Sequence, residues 1–177
     1  MGDLAGFGCY QYRSRRISQV IRFLAEAMMQ VNVRSIEPAD KERWLELWDG
    51  YLTFYEATLS AEQTELTWGR LHEPLFNLHG IAAEFDGKVI GFAHYLFRPS
   101  SWGTTDYCYL EDLYVDPVLR GAGAGRSLID AVIVAARAKM SGQVYWTTKE
   151  SNTRARVLYD SYSPASEFVQ YGLPQTY

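Results

Sequence analysis

Apolar and polar positions alternate from Val31 to Ile36, the two-residue period of a half-buried strand. The period then lengthens. Glu37-Pro38-Ala39-Asp40 opens a helix with Asp40 as its N-cap, and Trp44, Leu45, Leu47, Trp48, Tyr51, Leu52 and Tyr55 form a broad apolar stripe at helical spacing. Ser60-Ala61-Glu62-Gln63 resembles a capping box and starts a second helix carrying Leu66, Trp68 and Leu71. Two strand-like runs follow, Ile81–Phe85 and Lys88–Phe97, and Asp86-Gly87 between them is a hairpin signal. The run Thr104–Val115 adds a third strand, completing an antiparallel meander. Gly123–Met140 places Leu128, Ile129, Val132, Ile133 and Ala136 on one helical face and is stopped by Ser141-Gly142. Val144–Thr148 reads as a strand that returns through that helix to the same sheet, hence parallel to the strand before it. Asn152 caps a helix over 152–159, and Phe168–Tyr171 reads as a short last strand. The order β-αα-βββ-α-β-α-β predicts a mixed α/β fold around one central sheet.

Composition narrows the class. With 177 residues, 47% of them apolar, the chain suffices for one domain with a substantial core. A net charge of −4 argues against a nucleic-acid surface. Two cysteines, Cys9 and Cys108, are too few for a disulfide framework or a zinc site, and none of the three histidines is spaced with another as a metal pair, so no metal is expected. No apolar run reaches the length of a membrane span, so no membrane is expected and the setting is read as a reducing cytoplasm. Residues 1–28 stand apart: scattered glycines, then Arg13, Arg15 and Arg16 before a helical stretch. They read as an N-terminal extension, either upstream of a natural start at Met28 or Met29 or a peripheral helix, with the domain proper at 29–177.

The chemistry concentrates between Tyr107 and Arg126. A strand ends at Asp116-Pro117, because proline cannot donate to a ladder. Arg120-Gly121-Ala122-Gly123-Ala124-Gly125 then leads into a helix. Strand, glycine-rich turn and helix form a phosphate cradle: glycines let the backbone approach an anion, and the first helical N–H groups point at it. A P-loop needs Lys-Ser/Thr after its last glycine, whereas Arg126-Ser127 follows here; a dinucleotide fingerprint needs G-x-G-x-x-G, whereas these glycines alternate.

The spacing R-x-x-G-x-G at Arg120, Gly123 and Gly125, with Glu111-Asp112 upstream and Asn152–Tyr159 downstream, resembles the GNAT superfamily of N-acetyltransferases. The run Trp102…Tyr109-Leu110-Glu111-Asp112, followed by Arg120-Gly121-x-Gly-x-Gly, is similar to its diamine and thialysine acetyltransferase branch. The resemblance covers about 31–172 in layout, with its specific motifs in 107–126 and 152–159. It implies a mostly antiparallel mixed sheet, splayed at the cofactor site and flanked by helices, and acetyl-CoA as co-substrate.

Carried onto this chain, the resemblance puts the pyrophosphate on Arg120, Gly121, Ala122, Gly123, Ala124 and Gly125, with Arg126 adding charge. The backbone of Leu113, Tyr114 and Val115 would pair with the pantetheine arm, which Asn152 would touch. Tyr159 would be the general acid, Glu111 the base acting through water, and Asp112 a substrate contact, with Glu111 also facing the substrate. Because neighbours on a strand face opposite ways, one of Glu111 and Asp112 is expected to face the cleft. The acceptor is expected to be a small-molecule amine such as a polyamine or amino acid, and the protein a homodimer. A protein or histone lysine acceptor, and a non-catalytic CoA-binding sensor, stand as alternatives. Two departures leave the acceptor open: the acceptor-side helices are rich in Trp and Tyr rather than acidic, and Asp160-Ser161-Tyr162-Ser163 lacks the Gly-Phe that often follows the tyrosine.

Overall fold

A computed structural model describes residues 31–173; the extension assigned to residues 1–28 lies outside them. The elements are β1 (Asn32–Ser35), α1 (Lys41–Tyr55), α2 (Ala61–His72), β2 (His79–Phe85), β3 (Lys88–Arg98), β4 (Tyr107–Val115), α3 (Ala124–Ala138), β5 (Gln143–Trp146) and α4 (Thr153–Tyr159). The described chain divides into two compact units, one ending at Trp146 and one beginning at Thr147.

The first unit is a five-stranded sheet in the order β1-β2-β3-β4-β5. β1 to β4 pair antiparallel and β5 joins β4 in parallel, as the alternation and the α3 crossover predict. Asp86 and Gly87 both take positive φ (51° and 69°), the geometry that matches the right-handed twist of a tight hairpin. One face of the sheet carries Phe92 and Tyr114. Trp44, Leu47 and Trp48 of α1, with Trp68 of α2, are buried in the core cluster formed there. Fully burying an aliphatic or aromatic side chain of this size contributes about 1.5–3 kcal/mol, so the tryptophans read as an apolar stripe are mainly core. Helix α3 buries Leu128, Ile129, Val132 and Ala136 and contacts β2, β3 and β4.

Several local expectations are corrected. Asp40 does not cap α1 with its side chain. It is buried, accepts from the Glu37 N–H at 2.8 Å and holds Arg34 through both oxygens, at 2.7 and 2.9 Å. Ser60 does cap α2, accepting from the Gln63 N–H at 3.1 Å. β4 begins at Tyr107 rather than Thr104. α3 stops before Ser141-Gly142: Met140 takes the left-handed conformation (φ 54°) and the Ser141 N–H reaches back to the Ala136 carbonyl.

In the second unit, Asn152 stands at the N-cap of α4, but its side chain donates to Thr148 Oγ1 at 2.9 Å instead of capping. Phe168–Tyr171 forms no strand. Phe168, Val169 and Tyr171 are exposed, and among the described residues no ladder partner reaches them; so short an apolar run takes strand geometry only from a neighbour.

Candidate active site

The site grows from an irregularity in β4. Pairing with β3 runs Leu113 to Ala93 and Asp112 to His94, then skips to Leu110 opposite Tyr95. Glu111 is the extra residue of a β-bulge and has no partner in β3. On the other side of the strand, the β4–β5 ladder ends at Leu110 and Trp146. Both ladders are thus interrupted at Glu111. From there to Val115, β4 extends past the last residue of β5.

The bulge also breaks the alternation that would send neighbouring side chains to opposite faces. The expectation that only one of Glu111 and Asp112 meets the cleft is corrected: both line a cavity of about 290 Å³, together with Trp48, Arg70, Phe76 and Leu96. Glu111 opens to solvent, yet burial by the surrounding protein, helped by the neighbouring Asp112 charge, pushes its carboxyl pKa up. A larger, shallower depression of about 560 Å³ runs past Leu75, His79, Thr105 and Lys139. It holds neither Glu111 nor Asp112, the two carboxylates that the glycine-turn motif brings with it.

Asp112 is held from behind. Trp44 Nε1 donates to His94 Nε2 at 3.1 Å, and His94 Nδ1 lies 2.9 Å from Asp112 Oδ2. An indole nitrogen only donates, so His94 Nε2 must accept and Nδ1 carries the proton given to Asp112. His94 and Trp44 are both fully buried. The Tyr51 phenol pKa is raised by burial and by the Asp112 charge beside it. Neither His94, Trp44 nor Tyr51 stood out in the sequence as part of a site. Their signal lay in the register of β3 against β4, which the bulge made unreadable.

The glycine turn follows Asp116, which takes an N–H from Val118 at 3.0 Å and the guanidinium of Arg43 at 2.6 Å. That tie fixes the end of β4 to α1. Gly121 and Gly123 have φ of 102° and 84°, and among the described residues, their own chain neighbours aside, no atom lies within 4 Å of where a Cβ would stand at either. Gly121, Ala122 and Gly123 are exposed, while Ala124 is buried and opens α3. Among the described residues, no main-chain carbonyl takes a turn or cap hydrogen bond from the amides of residues 120–123. The Arg120 side chain turns back, donating to the Val115 carbonyl at 3.2 Å and lying 5.9 Å from the Tyr114 ring. Arg126 is exposed. An open turn with left-handed glycines, unused amides and a helix start fits a diphosphate. Asn152 and Tyr159 belong to the second unit, at the two ends of α4. Among the described residues no group of three metal-ligating side chains comes together, and no helix is long and apolar enough to cross a membrane.

Comparison with known proteins places this architecture. Residues 41–162 match the model of the Acetyltransferase (GNAT) family. A D-amino-acid N-acetyltransferase of Saccharomyces cerevisiae is 37% identical over 145 residues, which cover 80% of this chain and 89% of the yeast protein. A thialysine N-epsilon-acetyltransferase of Bos taurus is 38% identical over 71 residues, 40% of this chain and 41% of the bovine one. Among solved structures, a probable acetyltransferase superposes with a TM-score of 0.71 at 21% identity, covering 82% of this chain and 98% of that one. An aminoglycoside acetyltransferase from an uncultured soil metagenomic sample gives 0.69 at 19% identity, covering 83% and 97%. The structural matches carry the fold, and the family model with the yeast relative carries the kinship: the chain belongs to the GNAT family of acetyltransferases.

Proposed function

We propose that the protein transfers an acetyl group from acetyl-CoA to the amine of a small molecule, a polyamine, an amino acid or a related metabolite, by direct attack. When bound, acetyl-CoA supplies the acetyl group as an activated thioester. The amides of the turn Arg120–Gly125 grip its diphosphate, with Arg126 adding charge. The backbone edge at Leu113–Val115 and the side chain of Asn152 receive the pantetheine arm.

An alkylammonium has a pKa of about 10 and is not a nucleophile until it loses a proton. Glu111 takes that proton through a water, and a carboxylate whose pKa burial raises is a stronger base than an ordinary glutamate. Asp112 stays fixed beside it as an anionic contact for the incoming ammonium. Tyr159 returns a proton to the departing thiolate, a suitable match because a phenol and an alkyl thiol differ in reference pKa by only about 1.5.

The observation that carries this reading is the position of Glu111: a carboxylate that lines a cavity while opening to solvent, at the one residue of β4 that skips β3 and lies just past the last pair with β5. The yeast relative is named for D-amino acids and the bovine one for thialysine, so small amines are the acceptors to try first. The same reading takes the protein as a cytoplasmic homodimer, which sedimentation at micromolar concentration tests.

The deciding experiment is an amine panel with acetyl-CoA, reading released thiol, on the wild type and on Tyr159→Phe and Glu111→Gln. Turnover by the wild type with loss of kcat in both variants, acetyl-CoA affinity being kept, supports the enzyme. Binding of coenzyme A with no turnover on any amine would leave a sensor.

A further inference from the structure

We propose that Arg70 is the carboxylate anchor of the acceptor site, so that the acceptor is a zwitterionic amino acid and not a polyamine. This rests on the acetyl-transfer reading of the same cavity. Arg70 stands in the last turn of α2, half-buried, and lines the cavity that Glu111 and Asp112 line. Two carboxylates and one guanidinium therefore face the same space of about 290 Å³, near the lower limit of ligand pockets.

The guanidinium is not spent elsewhere. Among the described residues it forms no ion pair, and its side-chain contact is with Phe76, whose ring centroid lies 4.8 Å from Cζ. Stacking on a ring occupies a face of the guanidinium and leaves its in-plane N–H donors open, a fork that matches a carboxylate. The nearby acid just past the end of α2, Glu73, is turned to the Leu75 N–H at 3.3 Å. Asn77, also in the wall, spends its amide on the main chain of Phe97.

Charge then selects among acceptors. A polyamine entering with one ammonium at Glu111 carries further ammonium groups into the space where Arg70 waits, and like charges in a confined site repel. An amino acid presents the opposite pattern: ammonium toward Glu111 and Asp112, carboxylate toward Arg70, and its side chain toward the apolar wall of Leu59, Phe76, Leu78 and Leu96. Arg70 lies 41 positions from Glu111 along the chain, so only the fold brings the two to one cavity.

The test compares leucine (both enantiomers), leucinamide and spermidine as acceptors for wild type, Arg70→Gln and Arg70→Lys. The wild type is expected to prefer leucine of one hand over leucinamide by at least tenfold in kcat/KM and over spermidine by more. In Arg70→Gln the leucine-to-leucinamide ratio should collapse toward one through KM, and Arg70→Lys should restore part of it. A ratio that stays at its wild-type value in Arg70→Gln, or a wild type that favours spermidine, overturns the anchor while leaving acetyl transfer standing. Failure of the wild type on every amine, with coenzyme A still bound, overturns the acetyl-transfer reading itself and the anchor with it.

Discussion

His94 Nδ1 lies 2.9 Å from Asp112 Oδ2, joining the middle of β3 to the residue beside the bulge in β4. Because Trp44 donates to the other ring nitrogen, the imidazole is held as one neutral tautomer, and the Asp112 carboxylate is oriented by a donor that cannot rotate away.

The first prediction removes that support. His94→Leu keeps the bulk of the ring but strands the Trp44 N–H and one Asp112 oxygen. A buried polar group left unpaired costs about 1–3 kcal/mol, so the pair together should cost about 2–6 kcal/mol. For a chain of this size each kcal/mol lowers the melting temperature by about 2–4 °C. A calorimetric scan should therefore show His94→Leu melting well below wild type, with Trp44→Phe in between. Melting within a degree of wild type would mean that the buried chain contributes nothing to the fold.

Glu111 sets the second. Its carboxyl titrates above the ordinary glutamate range, because burial and the Asp112 charge both disfavour its ionised form. As a base it must be deprotonated, so kcat/KM should fall as pH drops through its raised pKa. Glu111→Gln should lose most of the rate and also the acid limb of the profile. For stability the sign is reversed: a raised carboxyl pKa contributes stability below its unfolded value, and that contribution is lost as pH rises through the folded one. At neutral pH the charged Glu111 thus costs stability, and Glu111→Gln should melt at the same temperature as wild type or higher. A markedly lower melting point at pH 7 would contradict the desolvation on which its role as base depends.

Much of this was legible in the residues and some was not. The strand and helix order was readable because periods of 2 and 3.6 are strong over runs of this length, and the Asp86-Gly87 hairpin because its positive φ angles demand such residues. The glycine turn and Glu111 stood out as candidates because their spacing is tied to a specific chemistry. The bulge was not: one extra residue in a strand leaves no trace in an apolar run, yet it decides that Glu111 and Asp112 share a cavity. Nor was Arg70, since a charge on a helix face looks the same whether it meets solvent or a ligand. Phe168–Tyr171 shows the converse failure, an apolar run with strand character and no neighbour among the described residues to make it one.

Acid sensitivity gives a third prediction, away from the chemistry. Asp40 binds Arg34 through both oxygens and takes the Glu37 N–H, and these hold its carboxyl pKa below the usual range. A lowered carboxyl pKa gives stability that is present above the unfolded value, about 3.9, and is lost as pH falls through the folded one. Arg34 is 27% exposed, so breaking the pair should cost about 2 kcal/mol, less than a fully buried pair. Asp40→Ala should lower the melting temperature at pH 7, and the gap to wild type should shrink at pH 3. A gap that stays constant between those two pH values would show that the ion pair is not what Asp40 contributes.

The fourth prediction separates the fold from the phosphate cradle at a single atom. Gly123 takes φ 84° at the start of α3, a conformation that costs a residue with a Cβ roughly 1–2 kcal/mol. Among the described residues, its chain neighbours aside, no atom lies within 4 Å of that Cβ position, so Gly123→Ala meets no steric clash with them. Its melting temperature should fall by only about 2–8 °C. The added methyl projects into open space beside the unused amides, where a diphosphate needs the backbone bare. KM for acetyl-CoA should therefore rise at least tenfold while kcat at saturation stays within about threefold. Ala122→Gly, which adds no atom in the same turn, serves as the control and should shift KM far less. If Gly123→Ala is destabilised as expected but binds acetyl-CoA within twofold of wild type, the turn does not hold the diphosphate, because the only change made there is one methyl group facing the place it would occupy.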